Sequence, residues 1–267
     1  MQSIGIIGCG TIGRAILGAV AAGRLPVAVA GVASRTQATA EQFLATLPEP
    51  PPLLDLETVI RRSDLVIEAA GGHLVAELAE RAFGAGRDLM VISVGALLEQ
   101  SHLMDLAREK NCRLLLPSGA IAGIDAIKGA CEGEVEHVTI TTRKPPSSIA
   151  DAPYIRENNI SLDGLKEETE IYSGPVREAC KGFPANVNVA ACVSLAGLGP
   201  DRTIIRILAV PGLERNCHTI EVAGEFGRLS ITIENARTVE NPATGKLTAM
   251  SIIRTIRDAV DPVRIGT

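Results

Sequence analysis

Short, wholly apolar runs alternate with segments whose apolar residues recur every three or four positions through the first half of the chain. That alternation predicts strands and helices in turn. Ile4–Ile7 reads as a strand, and Ile12, Ala15, Ile16 and Ala19 share one face of the helix after it. Val27–Ala33, Leu65–Ala70, Asp88–Val94 and Cys112–Leu116 read as further strands. Between them lie helices around Ala38–Leu47, Asp55–Arg61, His73–Gly84 and Leu97–Lys110. Unbroken apolar strands suit a parallel sheet covered on both faces, and strand–helix repeats at this spacing describe a doubly wound α/β fold. Beyond about Gly123 the period changes. Val135–Thr142 alternates as a half-buried strand, and Lys144-Pro145-Pro146 opens a polar, irregular stretch to about Glu170. Phe183–Ala190 opens a small-residue helix reaching Leu198. Thr203–Val210, His218–Ala223 and Leu229–Glu234 then follow without intervening helices, which predicts an antiparallel sheet and a second domain of α+β type. After Asn241–Gly245 a last helix, with Leu247, Met250, Ile253 and Ile256 on one face, is expected to return to the first domain.

The first strand breaks into Gly8-x-Gly10-x-x-Gly13, and the helix begins within that motif. Alone, such glycines can be no more than a flexible turn. Between a strand and a helix they match the dinucleotide-binding fingerprint. Gly8 makes the tight turn, Gly10 lets a pyrophosphate approach the backbone, and Gly13 lets helix and strand pack closely. Thr11 and Ile12 lie between them, where free N–H groups at the positive helix end receive phosphate. The NAD form of the fingerprint carries an acid at the end of the second strand; here that place holds Ser34-Arg35-Thr36. Without the acid a 2′-phosphate meets no repulsion, and an arginine flanked by hydroxyls can bind one. The plainer alternative is an exposed arginine at a strand end. The cofactor is therefore read as NAD or NADP, with NADP accepted and NAD not excluded. Ligands of doubly wound sheets bind off the carboxyl ends of the strands. Ala69–His73, Ser93–Ala96 and Pro117–Gly123 are accordingly expected to line the cofactor.

Composition narrows the partners. The 267 residues leave room for two modest domains, and 46% apolar with 21% charged residues suits a globular enzyme. A net charge of −5, 2% aromatics and no tryptophan argue against nucleic acid. No apolar stretch is long enough to span a bilayer, and no basic-then-apolar leader suggests a signal peptide. Cys9, Cys112, Cys131, Cys180, Cys192 and Cys217 are scattered without a C-x-x-C pair, the pattern of reduced thiols in a cytoplasmic protein with no metal site.

Six segments carry a resemblance over nearly the whole chain: Gly8–Gly13, Leu116–Asp125, Lys144–Pro146, Phe183–Ala190, Asn216–Ile220 and Asn241–Thr248. In sequence and order they resemble the L-aspartate dehydrogenase family. The resemblance implies an N-terminal Rossmann domain (residues 1–121 and 242–267) and an α+β substrate and dimerisation domain (122–241). It implies a homodimer that oxidises L-aspartate with NAD or NADP to iminoaspartate, giving oxaloacetate and ammonia or feeding NAD biosynthesis. It also implies His218 as the catalytic residue, with Ala122 and Asn188 as cofactor contacts.

The residues themselves bear on those roles. Oxidising an amino acid needs a neutral amine and a group to handle its protons, which imidazole suits. His102 and His137 read as surface residues, and His73 as a polar helix start that can alternatively line the site. His218 opens a strand in the half expected to face the nicotinamide; its bland alternative is a hydrogen-bonded structural histidine. Asn188, with Asn186, can hold the nicotinamide or simply cap a helix. Ala122 offers only backbone, and Ser118 either binds substrate or caps. A dicarboxylate needs cationic or N–H-rich pockets, for which Lys144, Lys246 and the Thr244–Thr248 turn are candidates. On the same frame, a dihydrodipicolinate reductase type, a homoserine dehydrogenase type and a non-catalytic NAD(P) sensor stay open as alternatives. The Phe183–Ala190 and Asn216–Ile220 segments favour the aspartate enzyme.

Overall fold

Ile4, Ile6 and Ile7 of the first apolar run are at most 3% exposed, as expected of a strand covered on both faces. The computed structural model describes residues 2–184, 187–236, 245–263 and 265–266. The chain divides into two units, Met1–Pro117 with Ala249–Arg264, and Ser118–Thr248 with Ile265–Thr267.

In the first unit the elements are β1 (Ser3–Ile7), α1 (Thr11–Ala21), β2 (Ala28–Ala33), α2 (Gln37–Leu44), α3 (Leu56–Arg62), β3 (Leu65–Glu68), α4 (Val75–Gly84), β4 (Asp88–Val91), α5 (His102–Glu109) and β5 (Leu114–Leu115). Their strands form one parallel sheet in the order β2-β1-β3-β4-β5. Side chains alternate between two cores. Ile4, Ile6, Leu65 and Ile67 join α1, and Ile7, Val66, Leu89 and Val91 join α4. This is the doubly wound sheet expected from the alternating pattern. The predicted Leu97–Lys110 helix is broken, however. Gln100 leaves helical geometry at φ −132° and ψ 45°, so a 3-10 segment Val94–Glu99 precedes α5.

The second unit contains α6 (Ile124–Ala130), β6 (Val135–Lys144), α7 (Pro153–Glu157), β7 (Thr169–Pro175), α8 (Val176–Gly182), α9 (Asn188–Ala196), β8 (Ile204–Ala209), β9 (Asn216–Gly224) and β10 (Gly227–Asn235). Its sheet runs β10-β9-β6-β8-β7. The expected antiparallel sheet is instead mixed, because β6 and β8 pair in parallel. A parallel pair needs a crossover, and the segment from α7 to α9 supplies it. The stretch expected to be irregular up to Glu170 is thus partly ordered. Tyr154, Tyr172 and Phe183 pin it with ring centroids 5.2–5.8 Å apart. Phe183 is fully buried there, so the predicted small-residue helix begins only at Asn188.

The last helix, α10 (Lys246–Val260), keeps part of the stripe read in the sequence, Ile256 and the partly buried Ile253, and shifts the rest. Ile252 and Ile256 are fully buried in the core shared by β1 and α1, whereas Met250 is 61% exposed. Arg113 Nη1 donates to Ala259 O at 3.3 Å, and Arg257 donates to Arg24 O. Among the described residues no helix is long and apolar enough to cross a membrane. Ile256→Ala is expected to cost about 2–5 kcal/mol in chemical denaturation, as buried Ile truncations do. Met250→Ala should stay within about 0.5 kcal/mol, in line with exposed positions; equal losses would refute this helical phase.

Candidate functional site

The turn from β1 into α1 is shaped by contacts that exclude side chains. Gly8 has φ +110°, and a Cβ there would lie 2.3 Å from Ala69 O. A Cβ on Gly13 would lie 2.1 Å from Gly8 O, so the first turn of the helix sits directly against the strand end. On Gly10 it would meet nothing within 4 Å, which leaves open space above the turn. Gly10 is the N-cap of α1, and no side chain caps that end or places an acid in its first turn. The N–H groups that a helix start leaves unpaired are therefore available to an anion. The donor set fits a dinucleotide pyrophosphate.

Around that turn lies a cavity of about 720 Å³, a volume suited to a nucleotide. Its walls include Gly8, Gly10 and Arg14, the β2 end Ser34–Thr36, and Ala69, Ala70 and His73 beyond β3. Arg14 donates from Nε to Cys9 O at 3.0 Å and stacks its guanidinium 5.0 Å from the Phe43 ring centre. Burial pushes the Cys9 thiol above its usual range despite that arginine, so it is held as a protonated wall group. Asp55, also on the wall, accepts from Thr58 N and Oγ1 at the start of α3, and those bonds hold its carboxyl below the usual range.

In the second unit one sheet face changes character along its length. Paired residues of antiparallel strands project on the same side, and so do residues two apart. Ile140 opposes Ile220, and Thr142 opposes His218. The inward rows therefore run from Val138, Ile140, Ile220 and Val222 to Thr142, Lys144, Asn216 and His218, all of them at most 8% exposed. Thr142 Oγ1 and His218 Nδ1 are 3.1 Å apart. Burial, and secondarily the Lys144 charge, lower the His218 pKa to about 4. The imidazole is thus neutral at ordinary pH. Asn235 of β10, paired with Asn216 of β9, donates from Nδ2 to Ala120 O at 2.8 Å and ties the Ser118–Gly123 loop to this polar end.

Of the residues singled out in the sequence, Gly8, Gly10, Ser34 and Arg35 share the cavity walls. Thr11 and Ile12 begin α1 without lining it, and Gly13 is packed against the turn. His73, read foremost as a helix start, stands exposed on the wall in a 3-10 turn, whereas Ser93–Ala96 do not line this cavity. Ala122 is exposed in the loop before α6 and Asn188 is the exposed first residue of α9, where Val187 is the N-cap. Lys246 is exposed at the start of α10, while Asn186 and Thr244 lie outside the described residues. The sequence reading passed over Thr142 and Asn235. Among the described residues no His, Cys, Asp and Glu cluster could hold a metal.

A doubly wound sheet with a glycine cradle off its carboxyl edge, joined to a second α/β domain, defines the Rossmann-type NAD(P)-dependent oxidoreductases. Residues 8–117 match the homoserine dehydrogenase NAD-binding domain, and residues 125–259 match the aspartate dehydrogenase C-terminal domain. The chain belongs to the L-aspartate dehydrogenase family. It is 44% identical to the L-aspartate dehydrogenase of Methanocella arvoryzae over 270 residues, covering all of both chains. It is 40% identical to L-aspartate dehydrogenase 3 of Bordetella bronchiseptica, covering 99% of this chain and 97% of the relative. The crystal structure of aspartate dehydrogenase from Thermotoga maritima superposes with a TM-score of 0.77 at 26% identity, again over the whole of both chains.

The lowered His218 pKa has a consequence for stability. Between the unfolded value of 6.5 and the folded value of about 4, the unfolded chain binds the proton that the folded one refuses. Folding stability is therefore expected to fall as pH drops through that window, by about 3 kcal/mol in total at the usual 1.36 kcal/mol per pK unit. Denaturation midpoints at pH 7 and pH 4 should show this difference shrinking in His218→Gln. An unchanged difference would remove His218 as its source.

Proposed function

We propose that the chain oxidises L-aspartate with NAD(P) to iminoaspartate, which water converts to oxaloacetate and ammonia, with His218 as the acid–base group. The observation that carries this reading is the neutral, buried imidazole beside the Lys144 ammonium at the polar end of a sheet face. When bound, the dinucleotide supplies the acceptor for the hydride that leaves the substrate Cα. His218 does the proton work: it takes a proton from the substrate nitrogen as the C=N bond forms, and returns one as water adds and ammonia leaves. Thr142 Oγ1 fixes the ring through Nδ1. Lys144 is assigned one substrate carboxylate, a charge it can pair with where bulk water is excluded. Gly8, Gly10, Thr11, Ile12 and Gly13 are assigned the pyrophosphate, and Ala122 and Asn188 the nicotinamide end. The reading includes a homodimer in the cytoplasm, to which six scattered cysteines without a C-x-x-C pair are suited.

Purified protein with L-aspartate and either NAD or NADP is expected to raise reduced-nicotinamide absorbance. Silence with aspartate while other amino or hydroxy acids react would overturn the substrate. His218→Ala should lower kcat by roughly two or more orders of magnitude, as loss of an acid–base group does, while NADPH affinity is retained; loss of affinity instead would make it a binding residue. Arg35 is assigned the 2′-phosphate of NADP. Arg35→Asp should move the ratio of kcat/KM values toward NAD, and an unchanged ratio would take Arg35 out of that role.

A further inference from the structure

β3 ends on Glu68, a carboxylate with no exposed surface. Its Oε1 accepts from Ala70 N at 2.9 Å, Gly71 N at 2.7 Å and Ser93 Oγ at 3.2 Å. Its Oε2 accepts from Ile92 N at 3.1 Å and Ser93 N at 2.9 Å. Five donors converge on one side chain, four of them backbone amides at the carboxyl ends of two neighbouring strands. A carboxylate is the one side chain that accepts on two oxygens and donates nothing, so only an acid of this length satisfies both edges together.

The strand order says what those edges support. The chain steps from β1 to β2 on one side and continues to β3, β4 and β5 on the other, so the switch point lies between β1 and β3. A dinucleotide crosses a doubly wound sheet there, with its pyrophosphate on the first glycine turn. Ser34–Thr36 at the β2 end then flank the adenosine half, and the ends of β3 and β4 underlie the nicotinamide half. We propose that Glu68 is a positioning residue for the nicotinamide half of the cofactor, its carboxylate locking residues 70–71 and 92–93 into one rigid ledge. The proposal rests on the first unit being the dinucleotide site.

Glu68→Gln keeps the size of the side chain but turns an NH₂ toward amides that can only donate, freeing one edge of the ledge. The test is calorimetric titration of the folded enzyme with NADPH and, separately, with ADP, which carries only the adenosine half and pyrophosphate. Glu68→Gln is expected to bind NADPH about tenfold more weakly and ADP within about twofold of the unaltered enzyme. At saturating cofactor, kcat should fall roughly 10–100-fold, the scale of a reacting ring displaced by about an ångström. Equal losses for NADPH and ADP would make Glu68 a general scaffold residue, and no loss for either would leave the ledge without a role; both overturn the proposal. If the unaltered enzyme binds neither ligand and does not bind NADH either, the dinucleotide reading itself has failed. Should Glu68→Gln not fold, Ser93→Ala removes a single donor and should weaken NADPH but not ADP by about twofold to threefold, with the same outcomes deciding.

Discussion

Two backbone approaches too close for any side chain hold the first unit in its working shape. Gly13 packs on the carbonyl of Gly8, and Gly8 packs on the carbonyl of Ala69, each at a distance that a methyl would violate. Those contacts bring the start of α1 and the end of β3 against the end of β1. The helix N-terminus and its unpaired amides therefore face the same opening as Ala69, Ala70 and His73. Buried Ile4, Ile6, Leu65 and Ile67 on one face and Ile7 and Val66 on the other pack β1 and β3 together beneath. The apolar core fixes the strands, and glycine sets the distance between the elements that leave them.

The second unit builds its polar cluster by the opposite means. There the backbone is regular, and the chemistry comes from filling one end of a buried sheet face with polar residues. Thr142 and His218 stand two residues along their strands from the paired Ile140 and Ile220, and Lys144 and Asn216 carry the polar end one step further. Burying a polar group without a partner costs roughly 1–3 kcal/mol on mutational scales. The Thr142 hydroxyl beside His218 and the Asn235 amide on Ala120 O meet part of that cost with hydrogen bonds. What remains appears as chemistry: desolvation and the nearby ammonium strip the proton from His218.

The first unit was legible because its strands are uninterrupted apolar runs and its turn is made of residues with a single steric reason to be there. Where the reading failed, the sequence held a competing signal. Leu247, Met250, Ile253 and Ile256 keep a strict three-residue spacing that drifts around a helix of 3.6 residues per turn, and the real stripe centres on Ile252 and Ile256. β7 hid because it is an edge strand with one buried residue, Tyr172, between the exposed Glu170 and Ser173 and a half-buried remainder. Gln100 looks like any helix-surface residue, yet it breaks the Leu97–Lys110 helix. His218 was drawn out by family resemblance as much as by chemistry. Thr142 gave no signal, since a threonine in an alternating strand is ordinary until its register partner is known.

The charged side chains on the cavity wall differ in what holds them. Arg14, Arg35 and Asp55 all border the cavity. Asp55 is committed to capping α3 through Thr58, and Arg14 is committed to Cys9 O and the Phe43 ring. Both keep their charges but not their freedom to turn. Arg35 stands exposed just past the β2 end, between Ser34 and Thr36, at the place where an NAD-selective fingerprint carries an acid. An arginine flanked by two hydroxyl residues suits a phosphate group, as a carboxylate in that place would suit a ribose hydroxyl. The charge at this strand end therefore rests on one exposed side chain, Arg35, rather than on the fold.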